Sequence, residues 1–549
     1  MWQLSERTIG QWLEYWAAKT PDNEFIIYSD RDLRWTFRKF NERVDSLAKG
    51  LMSIGVKKGT HVGIWASNVP DWNTMFFACS KIGAITITVN TNFKQFEIED
   101  LCLMSDMEVL CIVEHEKDNN FLDMTYQMLP ELRTHERGKL DSVRFPNMKA
   151  VVYMGTEQHK GMYTLNELML LGLTIGEGTY QKAKNACSCY DAINIQYTSG
   201  TTGFPKGAML THYGICNNGF STGEHLGFTQ NTKLCICVPL FHCFGLVLSV
   251  LNCLTHGCTM VITKRFDPLL VLASIHKERC TSLFGVPTMY INLLHHPMFD
   301  LFDLTSLHAG IMAGSLCPIE LIKEVEQRMH MIVTSEYGLT EASPGMTQTW
   351  WSDPLEVRAN TVGRVFEHIE VKVLDPEGNE CPVGVEGELC NRGYNNMLGY
   401  YKDPVATAQL IDKNRWLHSG DLGFKDADGN FHVTGRIKDM IIRGGENIYP
   451  IEIESYIESM PEIKMVQVVG VPSKKYGEEV GAFILLKEGC TLQETDVRDY
   501  CNGQIARYKI PKYIFFVKEF PLTGSGKVQK YKLREMSVQL CKERGIEVR

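Results

Sequence analysis

Gln196–Gly207 reads QYTSGTTGFPKG, a run of glycines and Ser/Thr hydroxyls closed by Pro205 and Lys206. Glycine lets a backbone adopt positive φ and approach a ligand with no Cβ in the way. Successive bare N–H groups form a concave anion cradle, hydroxyls add donors, and the lysine offers a compact positive charge to a phosphate oxygen. The apolar Ile193–Tyr197 segment before it predicts a strand that delivers the loop from its end. The common nucleotide loop GxxxxGK[ST] does not fit, because Pro205 precedes Lys206 and Gly207 follows it. A flexible surface loop is the plainer alternative, but it leaves the string of donors beside a lysine unexplained.

Outward from this loop, residues 1–190 alternate helical and strand patterns. Phe40–Met52 places Val44, Leu47, Ala48 and Leu51 at helical spacing, Gly59 marks a turn, and Val62–Trp65 reads as a strand. Asp71–Ile82 is a second helix and Ala84–Val89 a second strand. The βαβα rhythm predicts an α/β fold with parallel sheet covered by helices.

Downstream of the loop, Val238–Gly245 (VPLFHCFG) presents His242 on an aromatic turn, where it is either a satisfied core histidine or part of a pocket wall. Phe284–Thr288 repeats the theme of strand, glycine, proline and helix start, and Leu307–Ser315 is rich in small residues that let a flat ligand lie against backbone. Ser335–Glu341 (SEYGLTE) offers a tyrosine face for a base and a carboxylate for a hard cation. Val371–Leu374, Gly387–Cys390 and Gly393–Tyr400 read as short strands of a small β unit. Within it, Asp421 follows the glycine turn of Trp416–Asp421, placed either to shape the turn or to accept ribose hydroxyls. After Gly435–Asp439 the pattern becomes ordinary α+β, so a boundary is expected at Lys438, between residues 1–437 and 438–549. The tail carries Pro521–Lys527, whose lysine matters only if its turn reaches the phosphate loop.

Composition narrows the class. The chain has 549 residues, more than one core usually supports, and its 44% apolar and 22% charged residues match an ordinary soluble protein. A net charge of −9 gives no reason to expect nucleic acid as a partner. Eighteen scattered cysteines read as reduced thiols of a cytoplasmic protein. Cys235, Cys237, His242 and Cys243 fit no zinc spacing and are expected in the core. The N-terminus shows no signal peptide, and the most apolar run, Phe244–Leu254, is too short to span a membrane and is expected as a buried helix.

Together, TSGTTGFPKG, YGLTE, SGD, GRIKDMIIRGGENIYP and the terminal Gly526-Lys527, in that order, resemble the adenylate-forming superfamily of acyl-CoA synthetases, luciferases and adenylation domains. PLFHCFG and the GGENIYPIEIE run look most like medium-chain fatty-acyl-CoA synthetases. The resemblance implies a large N-terminal domain of helix-covered sheets with a small β-barrel subdomain, and a mobile α+β C-terminal domain turning on Lys438. It implies ATP, Mg²⁺ and coenzyme A, with a small carboxylic acid as substrate, in a monomer or homodimer. The nucleotide would be held by Thr198, Ser199, Gly200, Thr201, Thr202, Gly203 and Lys206, by Ala313, Gly314 and Ser315, by Glu336, Tyr337, Gly338 and Thr340, and by Asp421, Arg436 and Lys527. Glu341 would take the metal, and Lys527, Lys206, Thr198 and Glu341 would carry the chemistry. His242, Phe244, Gly285, Gly310, Leu339 and Met346 would line the acyl pocket, and Gly444, Gly445 and Glu446 the CoA path. An aryl or other bulky apolar acid is the alternative substrate. An amino-acid adenylation module would want a carrier domain, and a non-catalytic nucleotide sensor would be expected to lack Glu341 or Lys527.

Overall fold

The alternation read from residues 1–190 builds the first of two large sheets. The computed structural model describes residues 2–198, 205–314, 317–443, 446–473, 476–524 and 526–546, and leaves aside the side chains of Glu446 and Asn447. Strands Ile85–Thr88, His61–Trp65, Val109–Ile112, Ala150–Tyr153 and Tyr163–Thr164 run parallel in an eight-stranded sheet. Ala192–Thr198 joins it beside Ile85–Thr88 and returns antiparallel as Lys206–Thr211, so the phosphate loop leaves the sheet at a strand end. Helix Phe37–Ser53 forms where the spacing predicts and buries Val44, Leu47, Ala48 and Leu51, with Thr36 capping the Lys39 amide. Helix Pro70–Ile82 starts on proline and stops at left-handed Gly83.

The second sheet has nine strands. Its parallel members Ser282–Gly285, Ala309–Ala313 and Ile332–Gly338 end side by side, which brings the Gly285, Ala313–Gly314 and Tyr337–Gly338 motifs to one edge. Helix His212–His225 and the buried Phe244–His256 segment pack in the apolar core shared by the two sheets. The latter is helical as expected, with a π-helical stretch over Leu246–Leu251. The strand Lys233–Ile236 stops three residues short of Pro239, where the sequence pattern ended it.

The small β unit is a four-stranded antiparallel sheet, ordered Ile369–Leu374, Gly387–Gly393, Leu417–Lys425 and Phe431–Arg436. Gly393–Tyr400 departs from the strand expected there. Past Gly393, which ends the preceding strand, only Gly399–Tyr400 of this stretch is a strand, on the edge of the eight-stranded sheet. The intervening backbone turns toward the site instead, where the Met397 amide donates to the Glu341 carbonyl at 2.8 Å. Beyond Asp439, helix Pro450–Glu458 packs on antiparallel strands Ile463–Ser473 and Gly477–Leu486 around an apolar core of its own. No described helix is long and apolar enough to cross a membrane.

The turn after Ile332–Gly338 is tight: Leu339 donates to the Pro344 carbonyl and Ser343 to that of Thr340, at 3.0 and 3.1 Å. A Cβ on Gly338 would collide with the Pro344 carbonyl. Gly338→Ala should therefore displace Thr340 and Glu341 and cost about 1–3 kcal/mol of stability. Thermal melts should show a lowered midpoint together with loss of ATP-dependent pyrophosphate exchange.

Candidate active site

Glu341 lies at the junction of the two large sheets, 8% exposed. Its Oε1 accepts from Thr198 Oγ1 at 3.2 Å and from Tyr400 OH at 2.8 Å. Both donors come from the eight-stranded sheet, whereas Glu341 follows a strand of the nine-stranded one. Lys206, opposite Thr198 in the hairpin, holds its Nζ 5.4 Å from the centre of the Tyr400 ring. Ser199, Gly200, Thr201, Thr202 and Gly203 lie outside the described residues, so their two flanks, Thr198 and Lys206, mark where the loop meets the site.

A second buried carboxylate comes from the small β unit. Asp421, 2% exposed, accepts from Tyr337 OH at 2.9 Å and pairs with Arg436 Nε at 2.8 Å. Its charge holds the Arg436 guanidinium above its usual range. The turn that carries it is braced by residues the motif reading passed over. Glu388 accepts from His418 Nδ1 at 2.8 Å and from the Gly420 amide at 2.9 Å, and Ser419 Oγ accepts from the Asp421 amide at 3.0 Å. Glu388, Cys390 and His418 form the one group among the described residues whose spacing could hold a metal ion. Glu388 already uses both oxygens on the turn, and the local geometry is explained by that. Cys235, Cys237 and Cys243 are buried in the core, as expected.

Lys527 comes from the C-terminal unit. Its turn closes through the Thr523 amide donating to the Lys527 carbonyl at 2.7 Å and the Lys527 amide donating to Thr523 Oγ1 at 3.0 Å. The turn rests on Val286, Phe241 and Asn90 of the large unit, and the lysine chain lies against Gly314, which has φ +91°. Burial lowers the Lys527 pKa. The same burial, with Lys527 near, lowers His242 to about 3, so its ring is neutral at physiological pH. His242 Nδ1 accepts from the Phe244 amide at 3.2 Å, which leaves Nε2 as the protonated nitrogen. Next to it, Cys243 Sγ stands 3.6 Å from Thr340 Oγ1.

The six residues expected at the acyl side do not all share one surface. Phe244 stacks over Phe284 with ring centroids 6.3 Å apart, Met346 is fully buried, and Leu339 is half-buried at the turn. Gly285 ends its strand beside Met289 and Tyr290, and Gly310 is packed inside the core against the Leu283 carbonyl and Met331. Ala313 closes its strand next to Glu336. Glu336 itself points away from Asp421, because strand alternation sends it to the face opposite Tyr337. There it meets Thr222 of helix His212–His225, with Thr222 Oγ1 3.4 Å from Glu336 Oε1. Ser315, Gly444 and Gly445 lie outside the described residues, as does the side chain of Glu446. Tyr400, Glu388, His418 and Thr222 escaped the sequence reading. Each is an ordinary residue type whose partner is remote in sequence; Glu388, Tyr400 and His418 lie inside the quoted stretches Gly387–Cys390, Gly393–Tyr400 and Trp416–Asp421, yet nothing local marked their roles.

Two buried carboxylates, two lysines and an arginine are thus brought together from segments remote in sequence, and the class of enzyme this belongs to is an adenylate-forming one. The chain belongs to the AMP-binding enzyme family: residues 13–401 match the AMP-binding enzyme model and 452–527 its C-terminal domain. It is 46% identical to the putative acyl-CoA synthetase YngI of Bacillus subtilis (strain 168), over 98% of this chain and 99% of that one. It is 38% identical to the mitochondrial medium-chain acyl-CoA ligase ACSF2 of Homo sapiens, over 97% of this chain and 88% of the relative. The crystal structure of the anthranilate CoA ligase AuaEII with anthranoyl-AMP superposes with a TM-score of 0.86 at 25% identity, covering 98% and 99% of the two chains. The activity is that of an acyl-CoA synthetase, an AMP-forming acid–thiol ligase that uses ATP and CoA.

Burial pushes the Glu336 carboxyl from 4.5 up to about 8. A carboxyl that binds its proton more tightly in the fold adds stability in full below its unfolded pKa and loses it as pH rises through the folded one. Wild-type stability should thus fall between about pH 5 and 8 by more than that of Glu336→Gln, which cannot titrate. Melts of both proteins across that range check the sign; a difference independent of pH would show that the carboxyl ionises normally.

Proposed function

We propose that the enzyme activates a medium-chain fatty acid in two half-reactions at one site, with the C-terminal unit, residues 438–549, turning about Lys438 between them. An oxygen of the bound carboxylate attacks the α-phosphorus of ATP, and pyrophosphate leaves. The thiol of CoA then attacks the acyl carbon, AMP leaves, and the thioester is released. The observation that carries this reading is Lys527: a lysine of the C-terminal unit sits against Gly314 of the large unit, beside the ring of neutral His242. In that place its charge meets the carboxylate and the phosphate oxygens as negative charge builds up in the first step.

The other roles follow from chemistry. Thr198 and Lys206 bracket the loop that would cradle the outer phosphates. Asp421 accepts from ribose hydroxyls, Arg436 supports them, and Tyr337 offers its ring to adenine with Ala313–Gly314 opposite. The all-oxygen set of Glu341, Thr198 and Tyr400 fits a hard divalent cation, and these residues would hold Mg²⁺, which neutralises charge on the phosphates. Lys438 lies in the exposed turn Ile437–Asp439 between the two units, and the Arg534 guanidinium closes on its carbonyl at 3.3 Å and on Asp439 at 3.1 Å. Those contacts tie the turn to the C-terminal unit, so rotation at Lys438 would carry them along and withdraw Lys527, leaving Gly444, Gly445 and Glu446 to line the pantetheine path.

Medium chain length is supported by the name of the ACSF2 relatives and by the apolar Phe244–Phe284 stack. Eighteen free cysteines, most of them buried, support a reducing compartment such as the cytoplasm. Each CH₂ buried in an apolar cleft adds about 0.8 kcal/mol, so kcat/KM should climb with chain length and then stop. A profile flat with length, or activity confined to aromatic acids, would overturn the chain-length reading.

The two lysines separate the half-reactions. Lys527→Ala should slow acyl-adenylate formation by about 10²–10³, while premade acyl-AMP and CoA still give thioester at close to the wild-type rate. Lys438→Pro fixes φ near −65° and should do the reverse, keeping pyrophosphate exchange and losing thioester formation. Equal slowing of both halves in either variant would mean a single fixed geometry.

A further inference from the structure

Phe244 stacks on Phe284, and the sheet face that carries Phe284 also carries the carboxyl of Glu336, two residues along from Thr334, which aligns with Phe284 through Ile311. The register Ala313↔Glu336↔Gln348 puts Glu336 on the face that looks toward helix His212–His225. It is 8% exposed, and among the described residues its Oε2 has no hydrogen-bond partner. Its other oxygen has only the long 3.4 Å contact with Thr222. Two neighbours share the condition: Gln348 Oε1, directly across the strand pair, and the side-chain amide of Asn252, which lies against Gly223 next to Thr222. Room for the carboxyl exists because residue 345 is glycine, since a Cβ there would collide with Glu336 Oε1 and with the Phe366 ring.

An unsatisfied buried carboxyl is costly, and a cleft meant only for alkyl chain gains nothing from it. The cost is recovered when a ligand supplies the missing partner, and a site built that way rejects the analogue that lacks it. We propose that Glu336 is a specificity residue of the acid site: it receives a hydrogen-bond donor, hydroxyl or amine, carried on the chain of the substrate acid. The favoured substrate is then an acid of medium length with a polar substituent, which sharpens the chain-length reading above and rests on it. The raised pKa of the carboxyl agrees with a group kept neutral until a partner arrives. Glu336 touches neither of the reacting atoms in this scheme. It sorts acids and leaves the chemistry to Lys527 and the phosphate loop.

The test compares unsubstituted alkanoates with ω-hydroxy and ω-amino acids of the same carbon count, across six to ten carbons, in the full-length enzyme with ATP and CoA. Wild-type kcat/KM should favour a donor-bearing acid over its alkanoate by about 10–100-fold. Glu336→Leu should reverse that ratio. Glu336→Gln, of nearly the same shape, should keep a hydroxyl preference and lose an amine preference, which tells the two donors apart. The proposal is overturned if the wild type prefers the plain alkanoate and Glu336→Leu leaves the ratio where it was. It is equally overturned if the variants alter only the KM for ATP, because the residue would then serve the nucleotide. Turnover of alkanoates without any donor preference removes the role of Glu336 alone, whereas no thioester from any straight-chain acid removes the fatty-acid reading with it.

Discussion

A carboxylate taken out of water needs donors around it, and Glu341 finds them only where two sheets meet. Its own backbone belongs to a turn at the end of one sheet, while Thr198 and Tyr400, which bond its Oε1, belong to the other. Satisfying this one side chain therefore fixes how the sheets abut. It also fixes where the phosphate loop leaves its strand, because Thr198 is the last strand residue before it. The backbone reinforces the pin, since the Met397 amide reaches the Glu341 carbonyl from the segment that leads into Tyr400. Breaking a buried, hydrogen-bonded carboxylate costs several times what a surface pair would, so the junction is rigid where phosphate chemistry needs it to be.

The same logic extends outward in steps of one buried charge. Asp421 joins the small β unit to the nine-stranded sheet through Tyr337, with Arg436 paired to it inside the unit, and Glu388 with His418 shapes the turn that presents it. Lys527 then joins the C-terminal unit to the large one through a turn only half-buried, resting on Val286 and Phe241. The gradient is informative. Glu341 and Asp421 are each held by two side chains from other strands, whereas Lys527 arrives on a half-buried turn closed by bonds to Thr523. A group that must enter for one step and leave for the next has to be held weakly by the fold and strongly by the charge that develops in the reaction.

Much of this was legible in the sequence, and the legible part has a physical character. Helix Phe37–Ser53 and the strands around it follow from periodicity, because burial of one face repeats along the chain. The TSGTTGFPKG, YGLTE and SGD motifs follow from backbone demands that only a few residue types meet. Failures lie where a residue's role depends on contacts distant in sequence. Gly393–Tyr400 looks like strand by composition, but its backbone partners sit at Glu341 and Met209, and it runs as a loop to reach them. Tyr400 gives no local sign of bonding Glu341. Gly310 reads as pocket lining because it is small, and the structure uses that smallness for packing against Leu283 and Met331.

Glu336 shows the limit most plainly, because it sits inside a quoted motif and its role still turns on something the motif does not encode. Read as a string, it adjoins Tyr337 and shares in the nucleotide site. Read as a strand, it must face the other way, toward Thr222 and the space left by Gly345. Phosphate and ribose present the same atoms in every adenylation, so the groups that meet them stand at fixed motif positions. The acid differs from one enzyme to the next, and the residues that meet it are supplied by whichever side chains the sheet happens to turn toward the cleft. A polar group placed there bonds to none of Glu341, Asp421 and Lys527. That separation lets one scaffold keep its chemistry while its substrate changes, and in this chain the Glu336 carboxyl fits its place only because residue 345 carries no side chain.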